Sequence, residues 1–566
     1  MGFGRGGATG IVTIPAIPAT PSTPTDVGTD VPAVAAPAEK RRGRRSVPWG
    51  ALAIAIIVAA GVVARFVAAS HLWLDEALTV NIASLPLSQL TEALRHDGSP
   101  PLYYAVLHFW MQLFGDGTIA VRALSGICSV ACLPLAWRVG ERVGGRTVST
   151  SFLVLLALSP FAVHYATEAR MYSMAMLLVL IGGLAIANLL ERPSRGLCVA
   201  VALVTGALLL THYYALYTVA AVGLVLAWRA WRGSDPESFG RAGARRALLS
   251  MVAGSLLFLP WVPVLLYQAA HTGAPWGSTG RGVRTVIDTL GVLVSGYRDA
   301  GPVPLLLACG LIVLAVFGRA VGRRRFEIDL VGREPGRTLA VLTFGGLLLA
   351  VAVSDLTGEA YVPRYASIVF PGVLLVIAVG VASFGDARLR LAALVVMAGI
   401  GVVGIQPIMA NERTQAADVA RQIRAEAQPG DVVVYCPDQL GPSVSRMLPD
   451  SLGLNQITYP RAHSPHFVDW VDYRATIRRT DVTRFARSAF DQAGPNRTVW
   501  YVWSIGYKSL GKRCEQLLHG MGSYRKWTDQ VRIDWHSPEH LGLIRFAPVD
   551  PDAAPFTHRC NRPPGC

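Results

Sequence analysis

The chain has 566 residues, of which 52% are hydrophobic and 16% charged, and its mean hydropathy is +0.40. These values exclude an ordinary soluble multidomain protein and mark an integral membrane protein. The formal charge is +15, but the arginines fall in short clusters between apolar runs rather than along one soluble face, which argues against nucleic acid and for an orientation signal.

Residues 1–47 are rich in Pro, Ala, Thr and Gly and close on the basic run KRRGRR at Lys40 to Arg45. They read as a disordered cytoplasmic tail. The first apolar stretch begins only near residue 48, so a cleaved signal peptide is not expected. Eleven apolar segments long enough to cross about 30 Å of hydrocarbon follow at 48–70, 119–138, 147–165, 173–190, 197–212, 214–230, 247–267, 303–319, 338–354, 366–384 and 391–409. Alternate connections carry the positive charge: Arg138 to Arg146, Arg192 and Arg195, Arg229 to Arg246, Arg323 to Arg337, then Arg388 and Arg390. That bias predicts a cytoplasmic amino terminus and, with an odd number of spans, an external segment after residue 410.

PLYYAVLHFWMQLF, residues 101–114, is too short to span, at about 21 Å as a helix, and counting it would invert every later loop. It is expected flat at the outer surface, preceded by a second surface helix in which Leu87, Leu90 and Leu94 share a face. The first external loop, about residues 71–118, opens on HLWLDE, so Asp75 and Glu76 sit at the mouth of the first span. An isolated Asp-Glu pair is commonly a solvated helix end. Here HYATEARMYS, residues 164–173, brings His164, Glu168, Arg170 and Tyr172 to the same boundary. SDLTGEAYVPRYAS, residues 354–367, adds Arg364 and Tyr365, and the loop at 268–302 adds Arg281, Arg284 and Arg298. Each of these also has a plain structural use as a paired or snorkelling side chain.

The ordered series LWLDEA, DGSPPLYY, FGDGTIAVRALS and ALSPFAVHYATEARMYS resembles the membrane glycosyltransferases of the protein mannosyltransferase and aminoarabinose transferase type, including the bacterial lipopolysaccharide galacturonosyltransferases. The resemblance covers residues 48 to about 190 well, is weaker to 410 and is absent beyond. It implies a GT-C fold with two surface helices in the first external loop, a polyprenyl-monophosphate sugar donor, inversion at the anomeric carbon and Asp75 at the catalytic position. Glu168 lies where second-loop acids occur in relatives.

The residues give an independent chemical reading. A lipid-linked sugar needs a lipid-facing groove, cations for its phosphate at headgroup depth and a carboxylate that takes a proton from the acceptor hydroxyl. Asp75 is the expected base. Glu76, about 100° round a helix from it, is expected to orient an arginine or a sugar hydroxyl. Arg170, Arg364 and Arg298 are candidates for the leaving phosphate. His96, Tyr103, Tyr104, His164, Glu168, Tyr172 and Tyr365 complete the expected substrate-binding set, and His164 and His212 also read as hydrogen-bonded boundary residues. A divalent cation is open, since Asp75, Glu168 and His164 could supply ligands.

From Asn411 the composition turns soluble, and residues 411–566 are expected to form an extracytoplasmic α/β domain after the catalytic transmembrane domain at 48–410. ADVARQIRAEAQPGDVVVYCP reads as an amphipathic helix, a turn and a buried strand, with further strands at 498–504 and 541–547 and a helix near 514–521. Four of the eight cysteines lie here, Cys436, Cys514, Cys560 and Cys566, which suits one or two disulfides in an oxidising compartment. Trp470, Trp500 and Trp503 are expected in the core, with sugar stacking as the alternative. The combined expectation is a glycosyltransferase of the bacterial plasma membrane, moving a mannose or arabinofuranose class sugar to an envelope glycan, lipid or protein. A flippase of lipid-linked saccharides and a glycan-binding scaffold are the other readings. Against a flippase stand the lack of an internal repeat and the scarcity of mid-span charges.

Overall fold

The structure, a computed structural model, describes residues 49–232, 239–272, 282–296, 301–323, 325–358 and 361–549. The tail expected over residues 1–47 lies outside the described residues, as do Arg281, Arg298, Cys560 and Cys566.

Helix α1 (Trp49–Ala64) leads into a first loop that holds three short helices, α2 (Leu74–Ala83), α3 (Leu87–Asp97) and α4 (Leu102–Phe114). Helices α3 and α4 stand where two surface helices are expected. Helix α2 is a third, and it begins at the two carboxylates because acids are favoured in the first turn of a helix, where unpaired N–H groups leave partial positive charge. Next, α5 (Thr118–Ala157) is two helices joined at Gly144 and Gly145. Gly145 has φ +68°, a left-handed conformation that glycine adopts without steric cost. The halves pack back on each other so tightly that a Cβ on Gly140 would lie 2.7 Å from the Ser149 Cα.

The bundle continues through α6 (Pro160–Ala166), α7 (Tyr172–Glu191), α8 (Arg195–Leu209), α9 (Ala215–Arg232), α10 (Phe239–Leu256), α11 (Val262–His271), α12 (Val283–Ser295) and α13 (Pro302–Phe317). A hairpin of β1 (Gly318–Ala320) and β2 (Phe326–Ile328) precedes α14 (Gly336–Thr357), α15 (Phe370–Ala382) and α16 (Ala387–Ala410). The eleven apolar segments fall mainly on these helices. Among the described residues, five helical stretches are long and apolar enough to cross a membrane: α5, α7, residues 240–271, α14 and α16. Helices α1, α8, α13 and α15 are apolar but shorter. Breaks such as the 3-10 turn Leu259–Trp261 and the glycine pair in α5 are what part the helix count from the apolar-segment count.

Two local features depart from expectation. Helix α12 occupies the connection that reads as a long loop, burying Leu293 and Val294. Arg65, whose place near the end of the first apolar segment would let a long side chain reach the interface, is 1% exposed. It donates to the Gly61, Ala157 and Leu156 carbonyls at 2.6, 2.9 and 2.7 Å and to Ser129 at 2.9 Å. A guanidinium at a helix C-terminus satisfies carbonyls that lack helical partners.

After α16 come α17 (Ala416–Glu426), β3 (Val432–Cys436), α18 (Gly441–Ser445), β4 (Asn455–Thr458), α19 (Tyr473–Arg479), α20 (Val482–Ala493), β5 (Val499–Trp503), α21 (Arg513–Gly522), β6 (Trp527–Val531) and β7 (Gly542–Phe546). The strands form one sheet in the order β4-β3-β5-β7-β6. Strand β3 runs parallel to β4 and β5, with Val432 opposite Val499, while β7 is antiparallel to β5 and β6. Alternation splits the apolar residues between two faces. Val433, Tyr435 and Trp500 pack with α17. Val432, Val434 and Tyr501 pack with Phe485 and Leu517 of α20 and α21, in a core continuous with Leu74, Leu78 and Tyr104 of the first loop. Cys436 and Cys514 form a disulfide across this face.

Candidate active site

Asp75 stands in the first turn of α2, and its Oδ2 accepts a hydrogen bond of 2.6 Å from Arg364 Nη1. The two side chains are 17% and 19% exposed. They line one cavity of about 140 Å³ with Arg170, Tyr172 and Tyr365. The DGSPP turn after α3 supplies Asp97 and Ser99, the turn between α8 and α9 supplies His212, Tyr213 and Tyr214, and the sheet domain supplies Trp470.

Arg170 enters from the turn between α6 and α7. Its Nη1 donates to Thr79 Oγ1 at 2.8 Å and to the Tyr104 hydroxyl at 3.2 Å, and Tyr104 donates to Asp97 at 2.7 Å. Burial acts against the charge of Arg170, but the neighbouring Tyr104, Tyr172, Asp75 and Asp97 hold its pKa well above the arginine range. Arg364 is likewise opposed by burial and held up by Tyr172, Asp75 and Tyr365. Both guanidiniums therefore stay cationic.

Four buried polar atoms of the cavity wall have no hydrogen-bond partner among the described residues: Arg170 Nε, Arg364 Nε, the Tyr172 hydroxyl and His212 Nε2. Buried polar groups are costly to leave unpaired, so a wall holding four is suited to a polar, anionic guest. Aromatic rings continue inward from it. Tyr214 stacks on Tyr365 at 4.5 Å between centroids. Within one helical turn of His212 and Tyr365 lies a second cavity of about 320 Å³, to which Leu208, Ile368, Val219 and Leu375 give an apolar lining.

Of the residues expected here, Asp75, Arg170, Tyr172, Arg364 and Tyr365 meet at the cavity and Tyr104 supports it from behind. The other expected residues that the structure describes do not line it, and Arg281 and Arg298 lie outside the described residues. Glu76 is fully buried, its two oxygens taken by Arg122 at 2.7 and 2.6 Å and by the Ala169 amide at 2.9 Å. It orients an arginine and is not among the residues that line the cavity. Tyr103 is 0% exposed and its hydroxyl meets Ser125 at 2.9 Å. His96 points outward to Asp469 at 2.8 Å. His164 faces Glu168 at 3.4 Å, and although burial pushes the Glu168 carboxyl up, His164, Arg413 and Arg364 bring it below the usual range. Asp75, Glu168 and His164 are not gathered into a metal-binding group, and among the described residues no set of three such side chains is.

Asp97, Ser99, Tyr213, Tyr214 and Trp470 are the site residues that the sequence reading did not assign. The DGSPP turn and the polar, aromatic THYY break in the apolar pattern were the available signals for the first four. Trp470 comes from the far end of the chain, where the sequence reads it as a core residue with sugar stacking as the alternative, and the structure brings it to the cavity.

Residues 98–262 match the family model described as dolichyl-phosphate-mannose-protein mannosyltransferase. The crystal structure of ArnT from Cupriavidus metallidurans in the apo state superposes with a TM-score of 0.55 and 15% identity, covering 88% of this chain and 98% of that one. The chain has the GT-C fold. The same transferase bound to undecaprenyl phosphate gives a TM-score of 0.51 at 14% identity with the same coverage. No curated protein sequence matches the chain. The resemblance read from the motifs thus holds over the segment that the family model covers, and the GT-C architecture extends over most of the chain.

Proposed function

We propose that this GT-C protein is an inverting glycosyltransferase that takes a sugar from a polyprenyl-monophosphate donor at the outer face of a bacterial plasma membrane. The reading rests above all on Asp75 and Arg364 meeting at 2.6 Å in a cavity that also holds Arg170, one helical turn from an apolar cavity. The polar cavity suits a sugar phosphate, and the apolar one suits the first isoprene units.

In this mechanism the acceptor hydroxyl oxygen attacks the anomeric carbon while Asp75 takes its proton. The bond from that carbon to the phosphate oxygen breaks on the opposite face. The electron pair leaves with the polyprenyl phosphate, whose growing charge is met by Arg364 and Arg170. The Asp75–Arg364 pair holds the guanidinium aimed into the cavity before substrate enters. Donor phosphate then gives Arg364 a second anion and frees Asp75 for the hydroxyl. With the eleven apolar segments taken as spans, the arginine bias puts the amino terminus inside and the sheet domain outside. Mannose or arabinofuranose is the donor sugar by analogy, and an envelope glycan, lipid or protein is the acceptor.

The test is purified protein with a panel of polyprenyl-phosphate sugars and envelope acceptors. Appearance of a glycoside of inverted configuration supports the reading. Movement of donor across vesicles with no glycoside formed would replace it with the flippase.

A further inference from the structure

Glu539 lies in the connection from β6 to β7, far from Asp75 in sequence, and is 2% exposed. Its Oε1 accepts from the backbone amide of Leu74 at 3.1 Å and from Ser443 Oγ at 3.1 Å. Leu74 is the first residue of α2, and the residue before it, Trp73, supplies no side-chain cap. The sheet domain therefore caps the helix that carries Asp75. The capping residue is itself tied to the chain leaving α16, since the Glu539 amide donates to Arg413 at 2.9 Å and the Gln415 amide to Glu539 at 3.1 Å.

We propose that Glu539 is a positioning residue for Asp75: its carboxyl holds the first amide of α2 and so fixes where the Asp75 carboxylate stands against Arg364. The proposal rests on the reading of Asp75 as the base. A helix N-terminus gains from an acceptor on its free amides and gains more when that acceptor is charged. The charge on Glu539 is adjustable. Burial pushes its pKa up to about 8, Asp75 adds to the rise, and hydrogen bonds from Thr414, Ser443 and Leu74 oppose it. The other ionisable groups near it are Tyr507, which also feels Asp438 and Asp75, and Arg413, whose side chain is turned to Thr167 at 2.6 Å. Glu539 Oε2 has no hydrogen-bond partner among the described residues.

The experiment uses full-length protein in detergent and two variants, Glu539→Gln, which keeps the accepting oxygen, and Glu539→Ala, which removes it. Hydrogen exchange of amides 74–78, corrected for intrinsic rate, is followed from pH 6.5 to 9.5. Wild type should gain about two- to fivefold protection as pH passes about 8, the worth of one charge at a helix N-terminus. Glu539→Gln should be flat, and Glu539→Ala less protected throughout. In transfer assays Glu539→Ala should lose kcat about tenfold or more with donor KM unchanged, as misplacement of a reacting group predicts, and Glu539→Gln should lack the wild-type change in kcat near pH 8. The same rise in protection in Glu539→Gln as in wild type, or wild-type exchange in Glu539→Ala, overturns the proposal. If the exchange results hold and an Asp75→Asn protein still transfers sugar, the capping contact stands and the base assignment falls.

Discussion

Asp75 and Glu76 are adjacent, yet they meet different chemistry because successive helical side chains diverge by about 100°. Asp75 faces the cavity and Arg364, whereas Glu76 turns into the protein and neutralises Arg122, which also donates to the Ser70 and His71 carbonyls at 2.6 and 3.0 Å. Glu76 thus locks the start of α2 to α5 and, through the Ala169 amide, to the turn carrying Glu168 and Arg170. Glu76→Ala should strand the Arg122 charge and cost about 3–5 kcal/mol, the usual penalty for removing one partner of a buried pair, read as a lower unfolding midpoint in detergent. Arg364→Lys keeps a charge but loses the planar fork, so kcat should fall roughly tenfold with the fold intact. The acid pair and its helical divergence were legible in the sequence. The partner of Glu76 was not, because Arg122 sits inside an apolar segment and only tertiary packing brings it within reach.

At the scale of elements, the site is made by helix ends and turns rather than by helix faces. Apolar periodicity locates the long helices well, since burial in lipid or core selects for it. It says least about the shortest elements, so α2, α18, α19, β4 and β6 do not stand out from their surroundings, whereas α12 and α20 carry an amphipathic period of their own within stretches that read as loop. The sharp turn within α5 depends on Gly145, and the close return of the chain depends on Gly140. Gly140→Val would place atoms where Ser149 now stands and should destabilise by about 1–3 kcal/mol, measurable by thermal unfolding in detergent. The turn at DGSPP acts in the same way, placing Asp97 behind Tyr104 and Arg170 through chain geometry.

In the whole molecule, the sheet domain and the helical bundle share a core and a site. Trp470 reaches the cavity, and its amide donates to the His96 carbonyl at 3.1 Å. Two buried carboxyls of this domain make its stability depend on pH. Burial raises Asp438 to about 7 and Glu539 to about 8. In the unfolded chain both lose their protons near pH 4. Between about pH 4 and 8 the unfolded state binds fewer protons than the native one, so stability should fall as pH rises through that window. Thermal midpoints from pH 4 to 9 should decline in wild type and decline less in Asp438→Asn. The central claim, that Asp75 is the base of a sugar transfer, is tested most directly by the Asp75→Asn protein, purified and shown to be folded, with donor binding and transfer measured side by side. Transfer should drop by about 10² to 10⁴-fold with donor binding preserved; wild-type turnover in that folded variant would contradict it.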